Sequence, residues 1–98
     1  MIEQGAVVRR VFVEGYVQGV GYRYFARRAA LHRRLAGWVR NRRDGSVEAL
    51  AHGRAADVEA FIAELQKGPY GAEVTGLRVV PADHDEAWSV GFEVRPTV

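Results

Sequence analysis

The feature that most constrains the fold is a glycine-rich stretch near the N-terminus, Gly15-Tyr16-Val17-Gln18-Gly19-Val20-Gly21-Tyr22-Arg23. A run rich in β-branched residues, 7–13, precedes it, and an alanine-rich segment, 22–35, follows it. β-branched runs favour strands, and apolar residues three and four positions apart favour a helix. The stretch therefore predicts a strand, a tight glycine loop and the start of a helix.

A loop of this kind can bind an anion. Glycine tolerates the backbone angles at which successive N–H groups point inward, and a helix N-terminus adds unpaired donors and partial positive charge. Arg23 adds a planar guanidinium that matches a phosphoryl group. The loop lacks the Lys and Ser/Thr of a Walker motif, and Val17 replaces the middle glycine of a dinucleotide motif. A phosphate-binding loop is one interpretation; a tight turn whose glycines serve only steric needs is the other.

The rest of the chain alternates strand and helix signals. Asp44-Gly45 between two alternating apolar segments favours a hairpin turn. Apolar residues at helical spacing from Val58 to Leu65, followed by Gly68 and Pro69, predict a second helix and its end. The predicted strands cover 7–13, 36–41, 46–52, 73–81 and 88–95, with Gly53 breaking the third, an acidic loop at 82–86, and a first helix at 22–34.

This order, β-α-β-β-α-β with an added C-terminal strand, is that of the ferredoxin-like fold in the α+β class. It predicts a single domain over residues 1–98, an antiparallel sheet with both helices on one face, and the loop–helix junction at one end of the sheet. Alternation places Trp38 on the sheet face opposite Asn41, and we expect it to pack in a core. The helical arginines, Arg27, Arg28, Arg33 and Arg34, are expected on a solvated face.

Composition excludes several kinds of site and indicates the charge of the substrate. The chain has no cysteine, which excludes disulfides, thiol nucleophiles and cysteine-ligated metals. Residues 1–54 carry eleven bases against four acids, formally +7, and residues 55–98 carry three against eight, formally −5. A basic half that contains the glycine loop suits a small anionic substrate, and it would also suit nucleic acid. With no membrane-spanning run and no signal pattern in the sequence, the cytoplasm is the expected location.

The three histidines, His32, His52 and His84, are scattered and lack metal-ligand spacing, so no metal site and no cofactor are expected. Ser46 and Ser89 lie in no nucleophile motif, which disfavours a covalent seryl route.

The loop and the hairpin together resemble the acylphosphatase family. Its first signature, Gly-x-Val-Gln-Gly-Val-x-Phe-Arg, is matched by residues 15–23 with Tyr22 in place of phenylalanine. Its second signature combines Gly-aromatic-Val-basic-Asn with a later Gly-x-Val and a final Gly. It is matched by Gly37-Trp38-Val39-Arg40-Asn41 followed by Gly45, Val47 and Gly53. With the predicted order of elements, the resemblance covers essentially the whole chain.

The resemblance implies hydrolysis of the mixed anhydride between a carboxylic acid and phosphate, without a metal. It implies that Arg23 and the loop amides hold the phosphoryl group and that Asn41 positions the attacking water. The implied phosphate-binding residues are Tyr16, Val17, Gln18, Gly19, Val20, Gly21 and Arg23, and the implied catalytic residues are Arg23 and Asn41. We expect a monomer that acts on a small acyl phosphate. A valine in place of Gly19 is expected to clash with the inward-facing backbone.

Two other classes of function stay open at this point. The ferredoxin-like fold also serves RNA recognition, but such modules stack bases on aromatics of the central strands, and residues 46–52 contain none. We therefore expect no nucleic-acid partner. A domain of the same family could instead bind an acyl or carbamoyl phosphate for a partner without turnover, as in modules fused to larger maturation proteins. The end of the chain at Val98 favours a free-standing enzyme.

Overall fold

The computed structural model describes residues 6–83 and 91–98. They form five strands and two helices in the predicted order. The elements are β1 (Ala6–Tyr16), α1 (Tyr22–His32), β2 (Ala36–Asn41), β3 (Val47–Arg54), α2 (Ala55–Lys67), β4 (Glu73–Pro81) and β5 (Phe92–Arg95).

The strands form one sheet in the order β4-β1-β3-β2-β5, with β1 and β3 near its centre. The pairs β1–β3, β1–β4 and β2–β3 are antiparallel, as expected. β5 instead runs parallel to β2, so the sheet is mixed and not purely antiparallel. β4 and β5 lie at opposite edges, so no hairpin joins β5 to its neighbour. Two strands joined by a hairpin must be antiparallel. Because no hairpin joins β5 to β2, β5 can run parallel to β2.

Both helices pack on one face of the sheet, where the main core lies. α1 contacts β2 and β5, and α2 contacts β1, β3 and β4. The core combines inward-facing strand residues such as Val11 and Ala49 with Phe61 and Leu65 of α2. α1 buries three alanines, Ala26, Ala29 and Ala30, beside one large side chain, Tyr22, and the alanines let its backbone approach the sheet closely. This packing fixes the N-terminus of α1 at one end of the sheet.

The opposite sheet face carries a second, smaller cluster. Trp38 is buried there with Val8 and Leu50, which confirms its burial and places it away from the helices. The guanidinium groups of Arg40 and Arg95 lie over its ring, 4.5 and 5.1 Å from the centroid. Arginines therefore cover this aromatic ring on the face without helices.

Glu48 lies on the same face and is 2% exposed. Its carboxylate accepts hydrogen bonds from Arg10, from Arg40 at 2.9 Å and from Arg42 at 2.9 Å. Burial opposes ionisation, but these three hydrogen bonds outweigh it and hold the pKa of Glu48 below its usual value. A buried carboxylate thus neutralises part of the basic N-terminal half.

Two predicted boundaries are wrong. β3 continues through Gly53, which pairs with Val7 and does not break the strand. A Cβ at Gly53 would lie 2.4 Å from a methyl carbon of Leu35, so glycine serves close packing there. α1 ends at His32, two residues earlier than expected, because Arg34 adopts a left-handed backbone with φ 57°.

Several other expectations meet the structure only in part. β1 extends beyond its predicted end to include Gly15 and Tyr16. Arg27 and Arg33 are not simply solvated: Arg27 donates to the Phe92 carbonyl at 3.1 Å, and Arg33 pairs with Glu64 at 2.9 Å. The predicted strand residues 88–90 and most of the predicted acidic loop lie outside the described residues. None of the helices in the described ranges has the length and apolar character needed to cross a membrane.

Candidate active site

The glycine loop lies between the end of β1 and the start of α1. Gly19 and Gly21 both adopt left-handed backbones, with φ of 77° and 76°. The expected clash at Gly19 is wrong, because an added Cβ would meet no atom within 4 Å. Glycine is needed there for its backbone angle, since L-residues with a side chain avoid this region.

The loop presents a row of unpaired donors. The N–H groups of residues 17–21 donate no backbone hydrogen bond within the part of the chain that the structure describes. Gly21 caps α1 without any side-chain hydrogen bond, and the first turn of α1 contains no acidic residue. Unpaired N–H groups at a helix start carry partial positive charge, so this junction is suited to an anion.

Arg23 adds a full charge to the junction from the first turn of α1. Within residues 6–83 and 91–98 its guanidinium has no hydrogen-bond or ion-pair partner, and the residue is half-buried. Several other arginines are neutralised or tied down, for example Arg40 by Glu48 and Arg33 by Glu64. The guanidinium of Arg23 is thus available to a ligand.

Asn41 reaches the same place from the sheet. It is the last residue of β2, it pairs with Val47 across the hairpin, and its carbonyl accepts a hydrogen bond from the Val98 N–H at 3.1 Å. Its side-chain oxygen Oδ1 is buried and has no hydrogen-bond partner among the described residues. A buried acceptor without a partner costs about 1–3 kcal/mol, a cost that a bound molecule or water would relieve.

A cavity of about 100 Å³ brings these groups together. Its walls come from the loop, from the first turn of α1 and from β2. The lining residues are Val17, Gly19, Gly21, Tyr22, Arg23, Tyr24 and Asn41. The structure therefore places both predicted catalytic residues, Arg23 and Asn41, at one cavity together with part of the predicted phosphate-binding loop.

Three predicted phosphate-binding residues do not line this cavity. Tyr16 lies in β1 opposite Glu73, with 62% of its side chain exposed. Val20 packs against the core, and the side chain of Gln18 turns toward the hairpin. Gln18 and Val20 could contribute only their backbone N–H groups, so their role in binding stays a prediction, as does that of Tyr16.

A larger cavity of about 600 Å³ lies at the other end of the sheet. Its walls come from the end of α1 and the start of α2, and they include His32, His52 and Arg54. It contains none of the predicted site residues. No group of three or more potential metal ligands occurs among the residues that the structure describes.

Sequence reasoning missed two features of the site. Tyr24 lines the cavity and is 64% exposed, but its position in the first helical turn gave no separate signal. The Gln18 side chain bonds to two hairpin carbonyls that are distant in sequence. A long-range hydrogen bond of this kind leaves no periodicity or spacing to detect.

Fold and site together define a class: small ferredoxin-like α+β proteins with a glycine loop and an arginine at a strand–helix junction. The acylphosphatase family model matches residues 9–94. An acylphosphatase of Cupriavidus necator is 47% identical over 89 residues, which cover 91% of this chain and 94% of the relative. The chain belongs to the acylphosphatase family.

Solved structures agree with this membership. The crystal structure of an acylphosphatase from Bacillus subtilis matches with a TM-score of 0.85 and 38% identity, over 91% of this chain and 98% of that one. The chain is also similar to 13% of full-length HypF, in its phosphate- and nucleotide-bound form, with a TM-score of 0.86 and 26% identity over 99% of this chain. The chain is an enzyme of the acylphosphatase family, and hydrolysis of acyl phosphates is the reaction that this membership supports.

Proposed function

We propose that Arg23 and the loop amides bind the phosphoryl group of an acyl phosphate and that Asn41 positions the water that attacks it. The observation that carries the proposal is one cavity lined by Arg23, whose guanidinium has no partner among the described residues, by left-handed loop glycines, and by Asn41, whose side-chain oxygen is buried. These groups come from the loop, from α1 and from β2, and they converge on this cavity.

The charge demand of the reaction is met by the loop and Arg23. In phosphoryl transfer the transition state is loose, so catalysis depends on in-line positioning and on stabilising charge on the equatorial oxygens. Unpaired N–H groups of residues 17–21 and one guanidinium supply donors for these oxygens. By analogy with oxyanion-hole donors, each well-aimed donor contributes about 3 kcal/mol to lowering the barrier.

Asn41 has the chemistry to orient a water molecule. Its Oδ1 can accept a hydrogen bond from the water, and its amide group can donate one. Asn41 cannot act as a base, so in this proposal an oxygen of the substrate takes the proton. The leaving group is a carboxylate, a weak base that needs no proton from an enzymatic acid. Two side chains and a loop are therefore sufficient for the reaction, and the proposed mechanism requires no metal.

The test is phosphate release from benzoyl phosphate in the presence of EDTA, with Arg23→Ala, Asn41→Ala and the control Arg28→Ala. Arg28 is an exposed arginine on the same helix and does not line the cavity. We expect Arg23→Ala to lose both turnover and inhibition by inorganic phosphate, because the amides cannot replace the charge. Asn41→Ala should lose turnover about 10²–10³-fold while inorganic phosphate still inhibits. Arg28→Ala should behave as the wild type.

Two results would contradict the proposal in different ways. Equal loss of phosphate inhibition and turnover in Asn41→Ala would show that Asn41 binds phosphate and does not position water. Release by the wild type at only the spontaneous rate, with phosphate still bound, would favour the second candidate, a binding domain without turnover. The similarity of this chain to one part of the much longer HypF is the observation that favours this second candidate.

The remaining proposals concern the substrate, the cellular location, the oligomeric state and the partners of the enzyme. A small acyl phosphate is the proposed substrate. On the sequence grounds given above, we propose that the protein is cytoplasmic and has no nucleic-acid partner; we also propose that it is a monomer. Gel filtration and a nucleic-acid binding assay at modest salt test the last two points directly.

A further inference from the structure

The side chain of Gln18 connects the glycine loop to the β2–β3 hairpin. Its Nε2 donates to the carbonyl of Arg42 at 2.7 Å and to the carbonyl of Ser46 at 2.8 Å. A primary amide carries two N–H hydrogens, so both bonds can form at once. The contact spans 24 residues to one acceptor and 28 to the other, and it is therefore a tertiary link, not a local turn bond.

The two acceptors are the carbonyls that close the hairpin turn. Ser46 O also accepts from the Arg42 N–H at 2.8 Å, and Arg42 O also accepts from the Gly45 N–H at 3.1 Å. Each carbonyl has two lone pairs and can accept both bonds. The turn is further held by Asp44, which accepts from the Ser46 N–H at 2.9 Å. Gln18 is thus attached to a part of the chain that is already well ordered.

This link joins the two halves of the site. The N–H groups and Arg23 belong to the loop and α1, whereas Asn41 directly precedes Arg42 on the hairpin. The side chain of Val17 is buried in the core and anchors the start of the loop. Beyond it, Gly19 and Gly21 leave the backbone permissive. Val20 also packs against the core, and within the described residues the side chain of Gln18 provides hydrogen bonds that join this part of the loop to the hairpin.

We propose that Gln18 is a positioning residue: its side chain sets the distance between the phosphate-binding loop and Asn41. The inference rests on the proposed function of that site. Arg23 and the first N–H groups of α1 do not depend on Gln18 for their place, because α1 packs against β2 and β5, so phosphate binding survives loss of the link. Asn41 is on the other side of it, so the alignment of the water with bound phosphate does not survive.

The experiment compares Gln18→Met with the wild type and with a control, Gln66→Met, at an exposed position of α2. Methionine keeps the length of the side chain and removes both donors. We expect Gln18→Met to lower kcat about 10- to 100-fold, since a misplacement of about 1 Å has an effect of that size. Inhibition by inorganic phosphate should change by less than about threefold. Gln18→Glu should behave like Gln18→Met, because its carboxylate would face two carbonyl oxygens.

A second readout does not depend on turnover. Asn41 is the only asparagine in the chain, so its side-chain amide gives one identifiable pair of NMR signals. Titration with inorganic phosphate should shift the loop amides in both proteins, but it should shift the Asn41 side-chain amide much less in Gln18→Met.

The outcomes separate the two proposals. Absence of turnover in the wild type would refute the proposed function. The NMR titration would still test whether Gln18 positions the loop relative to Asn41. An unchanged kcat in Gln18→Met, a parallel loss of kcat and phosphate inhibition, or an undiminished shift of Asn41 would each overturn the role of Gln18.

Discussion

Tyr22, the one departure from the family's first signature, donates a hydrogen bond to the last turn of α2. Its hydroxyl donates to the carbonyl of Leu65 at 2.6 Å, and its side chain is 1% exposed. In a helix this carbonyl would accept from the N–H four residues later, but that residue is Pro69, which has no N–H. The phenol of Tyr22 therefore supplies a donor that the helix cannot.

The perturbation that tests this reasoning is Tyr22→Phe. The ring stays, so no cavity forms, and the change removes only the donor. A buried carbonyl left without a partner costs about 1–3 kcal/mol, and we expect a loss of about 2 kcal/mol. In a domain of this size that loss corresponds to a Tm lower by roughly 8–16 °C. Activity at moderate temperature should be unchanged, because the hydroxyl points to α2 and not into the site.

The effect should also depend on pH in a defined direction. Burial raises the pKa of Tyr22 well above its ordinary value of about 10. Because the pKa is higher in the folded state, the stabilisation is fully present below about pH 10 and is lost as the pH rises further. The phenylalanine variant has no such titration. The stability gap between the two proteins should therefore narrow above about pH 10.

The assay is urea unfolding followed by tryptophan fluorescence at about pH 7 and about pH 11. Tyr70→Phe is the matched control, because Tyr70 is fully exposed. It should leave the free energy of unfolding unchanged at neutral pH. Equal stability of Tyr22→Phe and the wild type at neutral pH would refute the argument, and a gap that stays constant with pH would refute its electrostatic part.

Two further predictions concern the sheet. Glu48→Gln should lower the free energy of unfolding at neutral pH by about 2–3 kcal/mol, below the cost for a fully buried pair because the arginine partners are partly exposed. Since the pKa of Glu48 is lowered on folding, its contribution to the free energy of unfolding is lost as the pH falls through the acidic range. The variant should therefore lose less stability than the wild type between about pH 6 and about pH 3. Parallel pH profiles of the two proteins in urea titrations would contradict this. Gly15→Ala should lower stability by about 3 kcal/mol or more, because its Cβ would lie 2.1 Å from the carbonyl oxygen of Glu73. Gly45→Ala, left-handed but in open space, should cost only about 1–2 kcal/mol, so equal shifts in Tm for the two variants would show that the contact is unimportant.

The order of the elements could be predicted from the sequence because its signals are local. β-branched runs, helical spacing from Val58 to Leu65 and the Asp44-Gly45 turn each act within a few residues, and all three led to elements that the structure contains. The glycine loop and Arg23 are also local, so their place at a strand–helix junction followed from the chain itself. The errors at Gly53 and Arg34 arose where close packing or a left-handed residue overrode local preference.

Long-range contacts are what the tertiary structure alone decided. The parallel pairing of β5 with β2, the partners of Glu48, the bond from Tyr22 to Leu65 and the link from Gln18 to the hairpin each join residues far apart in the chain. No periodicity or spacing specifies such partners, because they depend on how whole elements pack against each other. The sequence by itself therefore determined which residues form the loop and the hairpin. The packing of α1 and the sheet decided that Arg23 and the buried oxygen of Asn41 meet at one cavity.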